Sequence, residues 1–350
     1  MGLLDSPIYR EDIARIASLD LAWDRLADKS LVLSGASGMI GSFLVDVLMA
    51  RNAEGLNCTI HALARNRISL EERFHTYTSG ANLVLIAADV TQELMINSAD
   101  YVIHAASNTH PRAYALDPIG TIMTNVLGTY KLLDLAVRTS AQRAIFLSTV
   151  EIYGENRSLT DRFSESDLGY IDCNTVRAGY PESKRTGEAL CQSFREQYGL
   201  DIVIPRLPRT YGPSMRLDDS KALSQFLLNA VAGQDIVLKS EGKQHYSYCH
   251  VADVVGAILT CTLHGESGHA YNVADPSGDI LLRDLAALVA GTVGRKVAFQ
   301  LPDAVETRGF STATHALLDG SKLADLGWRC LYDITEGITR TVEVLKSLSQ

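Results

Sequence analysis

Tyr180 and Lys184 stand four residues apart in GYPESKRTGEALCQSF, so a helix through them places both side chains on one face. An ammonium beside a phenol favours the phenolate, lowering its pKa toward neutrality and making tyrosine a usable base. A second pair lies upstream in STVEIYG, where Thr149 and Glu151 follow the apolar run Ala144 to Leu147. Alternate residues of a strand share a face, so the spacing predicts Thr149 and Glu151 on one side and Val150 on the other. The hydroxyl would then hold a substrate oxygen while the carboxylate, its pKa raised by burial, handles a second proton. The plainer alternative is a Glu151 that binds only backbone or water. Y-x-x-x-K alone is a common accident of exposed helices, so these residues draw their weight from what surrounds them.

LVLSGASGMIGSFL places Gly35, Gly38 and Gly41 in G-x-x-G-x-x-G spacing between an apolar strand and a helix. Glycine permits the tight turn and the close approach of a pyrophosphate. Free N–H groups around Ser37, Met39 and Ile40 at the helix start attract the anion. The alternative is an ordinary glycine-rich turn. An acidic residue commonly ends the second strand of a dinucleotide site, but IHALARNR offers Ala64 and Arg65 there. An arginine pairs with a 2′-phosphate, which leans the cofactor from NAD toward NADP, unless Arg65 only stacks on adenine or faces solvent. Asp89 and Val90 in AADVT are placed to meet the adenine. Ala105, Ala106 and Ser107, after His104 in HAAS, are small enough to let a cofactor pass; His104 itself reads as a packed strand residue. Lys184 could also hold the ribose hydroxyls of the nicotinamide half. In SNTHPRAY, Thr109, His110 and Arg112 form a loop that faces substrate in such folds, or is merely solvated.

These residues need a scaffold. LVLSG, CTIHALA, NLVLIAAD, YVIHAAS, AIFLST and DIVIPRL alternate with helical stretches over 39–49, 126–138 and 181–198, which predicts an α/β fold with a doubly wound parallel sheet covered on both faces. Apolar positions at Ile13, Ile16, Leu19 and Trp23 predict an amphipathic helix across 8–28. The expected organisation is a helical extension over 1–28, a dinucleotide-binding part over 29–205 that also takes in 246–273, and a mainly substrate-binding part over 206–350. The formal charge of −9 on 350 residues speaks against a general nucleic-acid or membrane-surface binder. No leader-like or membrane-spanning run occurs, so a cytoplasmic protein is expected. Six cysteines without any C-x-x-C pair suggest reduced, buried thiols, and no spacing implies a metal.

The ordered set GASGMIG, AADVT, HAAS, TNVLGTYKLLDLA, LSTVEIYG, YPESK, RLPRTYGPSM and LGW resembles the extended short-chain dehydrogenase/reductases, the family of nucleotide-sugar epimerases, dehydratases and decarboxylases. The resemblance runs from Lys29 to Leu345. It implies a Rossmann domain, a smaller part gripping a nucleotide sugar, a retained dinucleotide, and a catalytic triad of Thr149, Tyr180 and Lys184. It also implies chemistry through a 4-keto sugar, whose fate separates epimerases, dehydratases and decarboxylases. Asn125 would fix a helix near the active centre, and the helix over 126–138 would form a homodimer face unless its apolar positions are simply core. RAGYPESKRTGEALC looks most similar to the UDP-glucuronate decarboxylases, in which a basic residue at the position of Lys221 helps hold the nucleotide phosphates; a solvated helix start is the alternative for Lys221. Two departures stand out. Tyr246 replaces an arginine that contacts the phosphate, a task that would pass to Arg209, Arg216 or Lys221. Val150 occupies a position where the decarboxylases have serine and dTDP-glucose-type dehydratases aspartate.

The leading expectation is therefore an NAD(P)-dependent enzyme that oxidises a nucleotide sugar at C4, with decarboxylation or epimerisation favoured over dehydration. An NADPH-consuming reductase of a keto sugar or other carbonyl compound is the second reading, supported by Arg65. A dinucleotide-sensing regulator without catalysis is the third, and the intact Tyr180 and Lys184 weigh against it.

Overall fold

The computed structural model describes residues 2–77, 80, 82–109, 115–157, 159–300, 302 and 313–349. Strands β1 (Ser30–Ser34), β2 (Thr59–Ala64), β3 (Leu83–Ala87), β4 (Tyr101–His104), β5 (Arg143–Phe146), β6 (Ser148–Thr149) and β7 (Ile202–Leu207) belong to one sheet. Seven further strands follow: β8 (Arg209–Tyr211), β9 (Ile236–Leu238), β10 (His245–His250), β11 (Ala270–Asn272), β12 (Asp279–Leu281), β13 (Val297–Phe299) and β14 (His315–Ala316). The main sheet has the order β3-β2-β1-β4-β5-β7-β11, with β6 paired to β7 and every pairing parallel. The strand order reverses between β1 and β4, and the glycine loop follows β1 at that switch point.

β4 and β5 are buried along their whole length, so their residues are apolar except the buried His104 that ends β4 and Arg143 that begins β5. Their alternate residues feed two separate cores. Leu31, Leu33, Tyr101, Ile103 and Ile145 pack with the helices Pro7–Ala17, Met39–Ala53 and Val251–His264 on one face. Val32, Val102, Ala144 and Phe146 pack with Pro118–Arg138 and Gly179–Tyr198 on the other. A third core lies beyond the main sheet. There β10 pairs with β8, β12 and β14, beside the helices Ala222–Val231, Leu282–Thr292 and Ile334–Leu348. Within 246–273, β11 reaches the main sheet while β10 belongs to this second one.

Three element boundaries differ from expectation, each for a local reason. The first helix ends at Ala17 rather than running to 28, and the indole of Trp23 folds back to donate to the Leu19 carbonyl at 2.9 Å. The glycine-loop helix continues to Ala53, where Asn52 ties it to Cys58 by side-chain bonds to both backbone groups. The helix expected from Val126 begins eight residues earlier, at Pro118, because Asp117 caps it through the Gly120 N–H and proline suits its first position.

The N-terminal helix is fastened by two buried carboxylates. Asp46, in the glycine-loop helix, accepts from the hydroxyls of Tyr9 (2.6 Å) and Tyr77 (3.1 Å) and pairs with Arg73. Asp12 accepts from the Tyr332 hydroxyl at 2.6 Å and pairs with Arg340 at 2.7 Å. Burial pushes both carboxyls above the usual carboxylate range, against the pull of these partners. Removing one member of such a set strands the other charges in the interior. Asp46→Ala should lower the unfolding free energy by about 3 kcal/mol or more in chemical denaturation. A loss below about 1 kcal/mol would show that the cluster does not hold the helix.

Candidate active site

The glycine loop has the shape an anion cradle requires. Gly35 has a φ of 72°, and a Cβ there would come within 2.8 Å of the Ala105 and Ala106 backbone. A Cβ on Gly41 would lie 2.3 Å from the Gly35 carbonyl. Gly38 precedes the helix with no side-chain cap, so the N–H groups of Met39, Ile40 and Gly41 have no partner inside the helix. Ser34 braces the loop against β4: its Oγ accepts from Ala105 N and Ala106 N, each at 3.1 Å, and shares a 2.8 Å hydrogen bond with His104 Nδ1. Burial, with the charge of Lys184 added, holds His104 well below the usual imidazole range, so it sits in the strand as a neutral ring. These features suit a dinucleotide pyrophosphate. Ser37 is partly open on the loop, Val90 is buried, and Arg65 lies exposed after β2, its charge acting on Asp89. Asp89 is held below the ordinary carboxylate range first by the Thr91 N–H and is further bonded by the Thr91 hydroxyl.

Tyr180 and Lys184 occupy the first two turns of the Gly179–Tyr198 helix, 6% and 3% exposed. Lys184 Nζ donates to the Leu147 carbonyl at 2.8 Å and lies 4.8 Å from the centre of the Phe146 ring. Burial lowers its pKa to about 8. A hydrogen-bond relay fixes this helix to the end of β4. Ser107 Oγ donates to Asn125 Oδ1 (2.7 Å), Asn125 Nδ2 donates to Ser183 Oγ (2.9 Å), and Ser183 Oγ donates to the Tyr180 carbonyl (2.8 Å).

The STVEIYG segment departs from the expected geometry. β6 stops at Thr149, and Val150–Tyr153 form a 3-10 turn whose first N–H groups need a cap. Thr149 Oγ1 accepts from Glu151 N at 3.3 Å, so the two residues are joined by a turn and strand alternation does not apply. Val150 does not point away: it lines the same cleft as Glu151, about 260 Å³ in volume, together with Arg177, Pro181 and Arg209. Nor does Glu151 bind only backbone. Its carboxylate is clamped by Arg177 Nη2 at 2.6 Å and Arg209 Nη2 at 3.3 Å. Arg177 was not singled out from sequence, and its only signal there is its place three residues before Tyr180.

Arg209 also lies flat on the Tyr246 ring at 3.3 Å, and the Tyr246 hydroxyl donates to the Ala313 carbonyl at 2.7 Å. A guanidinium thus stands over the position where the resemblance expects an arginine. Arg216 and Lys221 are held by acids of their own loop, Asp218 at 2.8 Å and Asp219 at 3.3 Å, and neither lines the cleft. That loop still reaches the glycine turn, where Ser214 Oγ donates to the Met39 carbonyl at 3.0 Å. Thr109 is exposed, and His110 and Arg112 lie outside the described residues.

A parallel sheet with a glycine loop at its switch point, facing a buried tyrosine and lysine one helical turn apart, defines a dinucleotide-binding α/β enzyme. Residues 31–274 match the model of the NAD dependent epimerase/dehydratase family, and the chain belongs to that family. It is 31% identical to UDP-glucuronic acid decarboxylase 5 of Arabidopsis thaliana over 271 residues, 77% of this chain and 76% of that one. It is also 31% identical to decarboxylase 6 of the same plant over 313 residues, 88% and 86% of the two chains. The UDP-glucose 4-epimerase of Thermotoga maritima shares the fold with a TM-score of 0.78 at 21% identity, covering 92% of this chain and 100% of that one.

The depressed value of Lys184 carries a pH signature. Below about pH 8 the folded protein holds the charged amine at full desolvation cost; between about 8 and the ordinary 10.5 it releases a proton that the unfolded chain retains, so stability rises with pH. In cofactor-free protein, the unfolding free energy of wild type relative to Lys184→Met should increase by about 3 kcal/mol from about pH 7 to pH 10.5. A flat difference would place the ammonium in a solvated setting.

Proposed function

We propose that this enzyme oxidises a UDP-linked uronic acid at C4 and removes its carboxyl group as carbon dioxide. The observation that carries the reading is the clamp in the cleft, where two guanidiniums face one carboxylate. The buried Nη1 of Arg209 has no hydrogen-bond partner among the described residues. The other acids of the cleft wall have their own partners, Arg157 for Glu155 and Asn174 for Asp172. An arginine donor left over beside an ion pair suits a second carboxylate, whose charge-assisted hydrogen bond is stronger than the one a hydroxyl of a neutral hexose would accept. The decarboxylases to which the chain is similar act, by name, on UDP-glucuronic acid.

In this reading Tyr180 takes the proton of the sugar 4-hydroxyl, Thr149 holds the 4-oxygen, and Lys184 binds ribose and favours the phenolate. A dinucleotide held at the Gly35–Gly41 turn would supply the hydride acceptor for C4 and the hydride donor for the product. The 4-ketone draws electrons from C5, so the bond from C5 to the carboxyl carbon breaks and a proton replaces it. Glu151 orients Arg177 and Arg209 around that carboxyl group, a change from the proton-carrying role expected of it. Asn125 positions Tyr180 through Ser183. Ala64 and the exposed Arg65 favour NADP over NAD, and identifying the released cofactor by mass decides between them.

Incubation with UDP-glucuronate should give a UDP-pentose lighter by one carbon dioxide, at no net cost in added cofactor. Tyr180→Phe should slow turnover by about 10²-fold to 10⁴-fold. Arg209→Leu should raise KM for the uronate more than about 10-fold, the scale of one lost charged hydrogen bond. Product of unchanged mass would make the enzyme an epimerase, and stoichiometric oxidation of added NADPH would make it a reductase.

The Pro118–Arg138 helix exposes Ile119, Ile122, Met123 and Tyr130, which recur at helical spacing on a single face. Such a stripe favours a homodimer built on this helix. Sedimentation should give twice the chain mass, and a double change of Ile122 and Met123 to glutamate should give monomers; a monomeric wild type would end this assignment.

A further inference from the structure

Cys249 near the end of β10 and Asp253 in the first turn of the Val251–His264 helix converge with Cys330, far downstream ahead of the last helix. The two sulfurs and a carboxylate oxygen all lie within 4.8 Å of each other. Cys249 and Asp253 are buried at 3% and 1% exposure, and Cys330 is half-buried, which leaves the cluster approachable from one side. Its protein contacts are few. Asp253 Oδ1 accepts from Leu331 N at 2.6 Å, and Cys330 Sγ faces the Tyr332 carbonyl at 3.1 Å. The other carboxylate oxygen, Asp253 Oδ2, is buried without a hydrogen-bond partner among the described residues. No lysine or arginine forms an ion pair with Asp253 there, and the charges of Asp12 and Asp275 that reach the cluster are also acidic. The Cys330 thiol and the Tyr332 N–H ease the charge on Asp253, but Oδ2 has neither a donor at hydrogen-bond distance nor a cation among the described residues, and two soft sulfur donors beside it restrict which cation would complete it.

We propose that Cys249, Asp253 and Cys330 form a binding site for one thiophilic divalent cation of the zinc class. Two thiolates and a carboxylate oxygen make a donor set suited to a tetrahedral ion whose fourth position is taken by water. On binding, each S–H bond gives its proton to solvent and a metal–sulfur bond replaces it; no electrons are exchanged. The ion ties β10 to the segment around Trp328, whose indole already donates to the Asp253 carbonyl at 3.1 Å. The same strand carries Tyr246, which lies under Arg209, so a tie at one end of β10 steadies the wall of the cleft at the other. The spacing of these residues shows only Cys249 and Asp253 at i, i+4, which is too little to suggest a metal from sequence.

The test uses the full chain carrying Cys173→Ser, which removes the one fully exposed thiol. The protein is reduced, stripped with a chelator and titrated with Co²⁺ and then Zn²⁺. The expected result is uptake of about one Co²⁺ per chain with a thiolate-to-cobalt charge-transfer absorption, displacement by Zn²⁺, and zinc protection of two thiols from alkylation. Cys330→Ser, at the half-buried rim, should weaken binding by more than about 10-fold with the circular dichroism unchanged. Cys249→Ala should abolish the absorption. Absence of stoichiometric uptake by folded protein, uptake unaltered in Cys330→Ser, or closure of the two thiols into a disulfide without metal uptake would each overturn the assignment.

Discussion

The ion pair between Glu188 and Arg206 is the point from which the active-site half of the molecule is hung. The two side chains meet at 2.7 Å with 15% and 11% exposure, one from the Gly179–Tyr198 helix and the other from β7. Ser148 Oγ donates to the same glutamate at 2.6 Å, and Arg206 reaches the Tyr153 hydroxyl (2.9 Å) and the Glu165 carbonyl (2.9 Å). Tyr153 then donates to Asn272 in β11 at 2.7 Å, while its ring stacks on Phe163 at 4.7 Å. The pair thus joins β6 and the Tyr180 helix to β7 and, through Tyr153, to β11. Satisfying every donor and acceptor is what lets two charges be buried here without the penalty that isolated charges meet.

Around that anchor the site separates its charges by depth. Lys184 and His104 are enclosed, the lysine with its pKa lowered by burial and the imidazole neutral, whereas Arg177, Arg209 and Glu151 line an open cleft and pair with one another. Hydrophobic burial of the helices supplies the rigidity for this arrangement, because the strands beneath Tyr180 and Lys184 are packed on both faces.

What could be read in the sequence was what depends on neighbours along the chain. The parallel sheet, the glycine turn and the shared face of Tyr180 and Lys184 all follow from local period and spacing, and each stands where it was expected. The partnership of Glu151 with Arg177 and Arg209 was not legible, because it depends on β6 pairing with β7 in one sheet and β8 pairing with β10 in the other, which no spacing records. The 3-10 turn at Val150–Tyr153 was hidden for a related reason: VEIY alternates as a strand would, and only the Thr149 cap and the parallel bridge of Gly154 to Tyr170 turn it aside. Asp117 and Pro118 did carry a readable start signal for their helix, well ahead of Val126, where the helix was expected to begin.

The fastening of the first helix to the last also bears on how the chain comes to be built. Asp12 waits for Arg340 and Tyr332, partners more than 300 residues downstream. On the ribosome the glycine-loop helix and sheet can form while Asp12 is still unmatched, since Asp46 needs only Tyr9, Arg73 and Tyr77. Closure of the Asp12 cluster therefore follows the sheet it flanks, and the first helix is locked down only once Tyr332 and Arg340 have emerged.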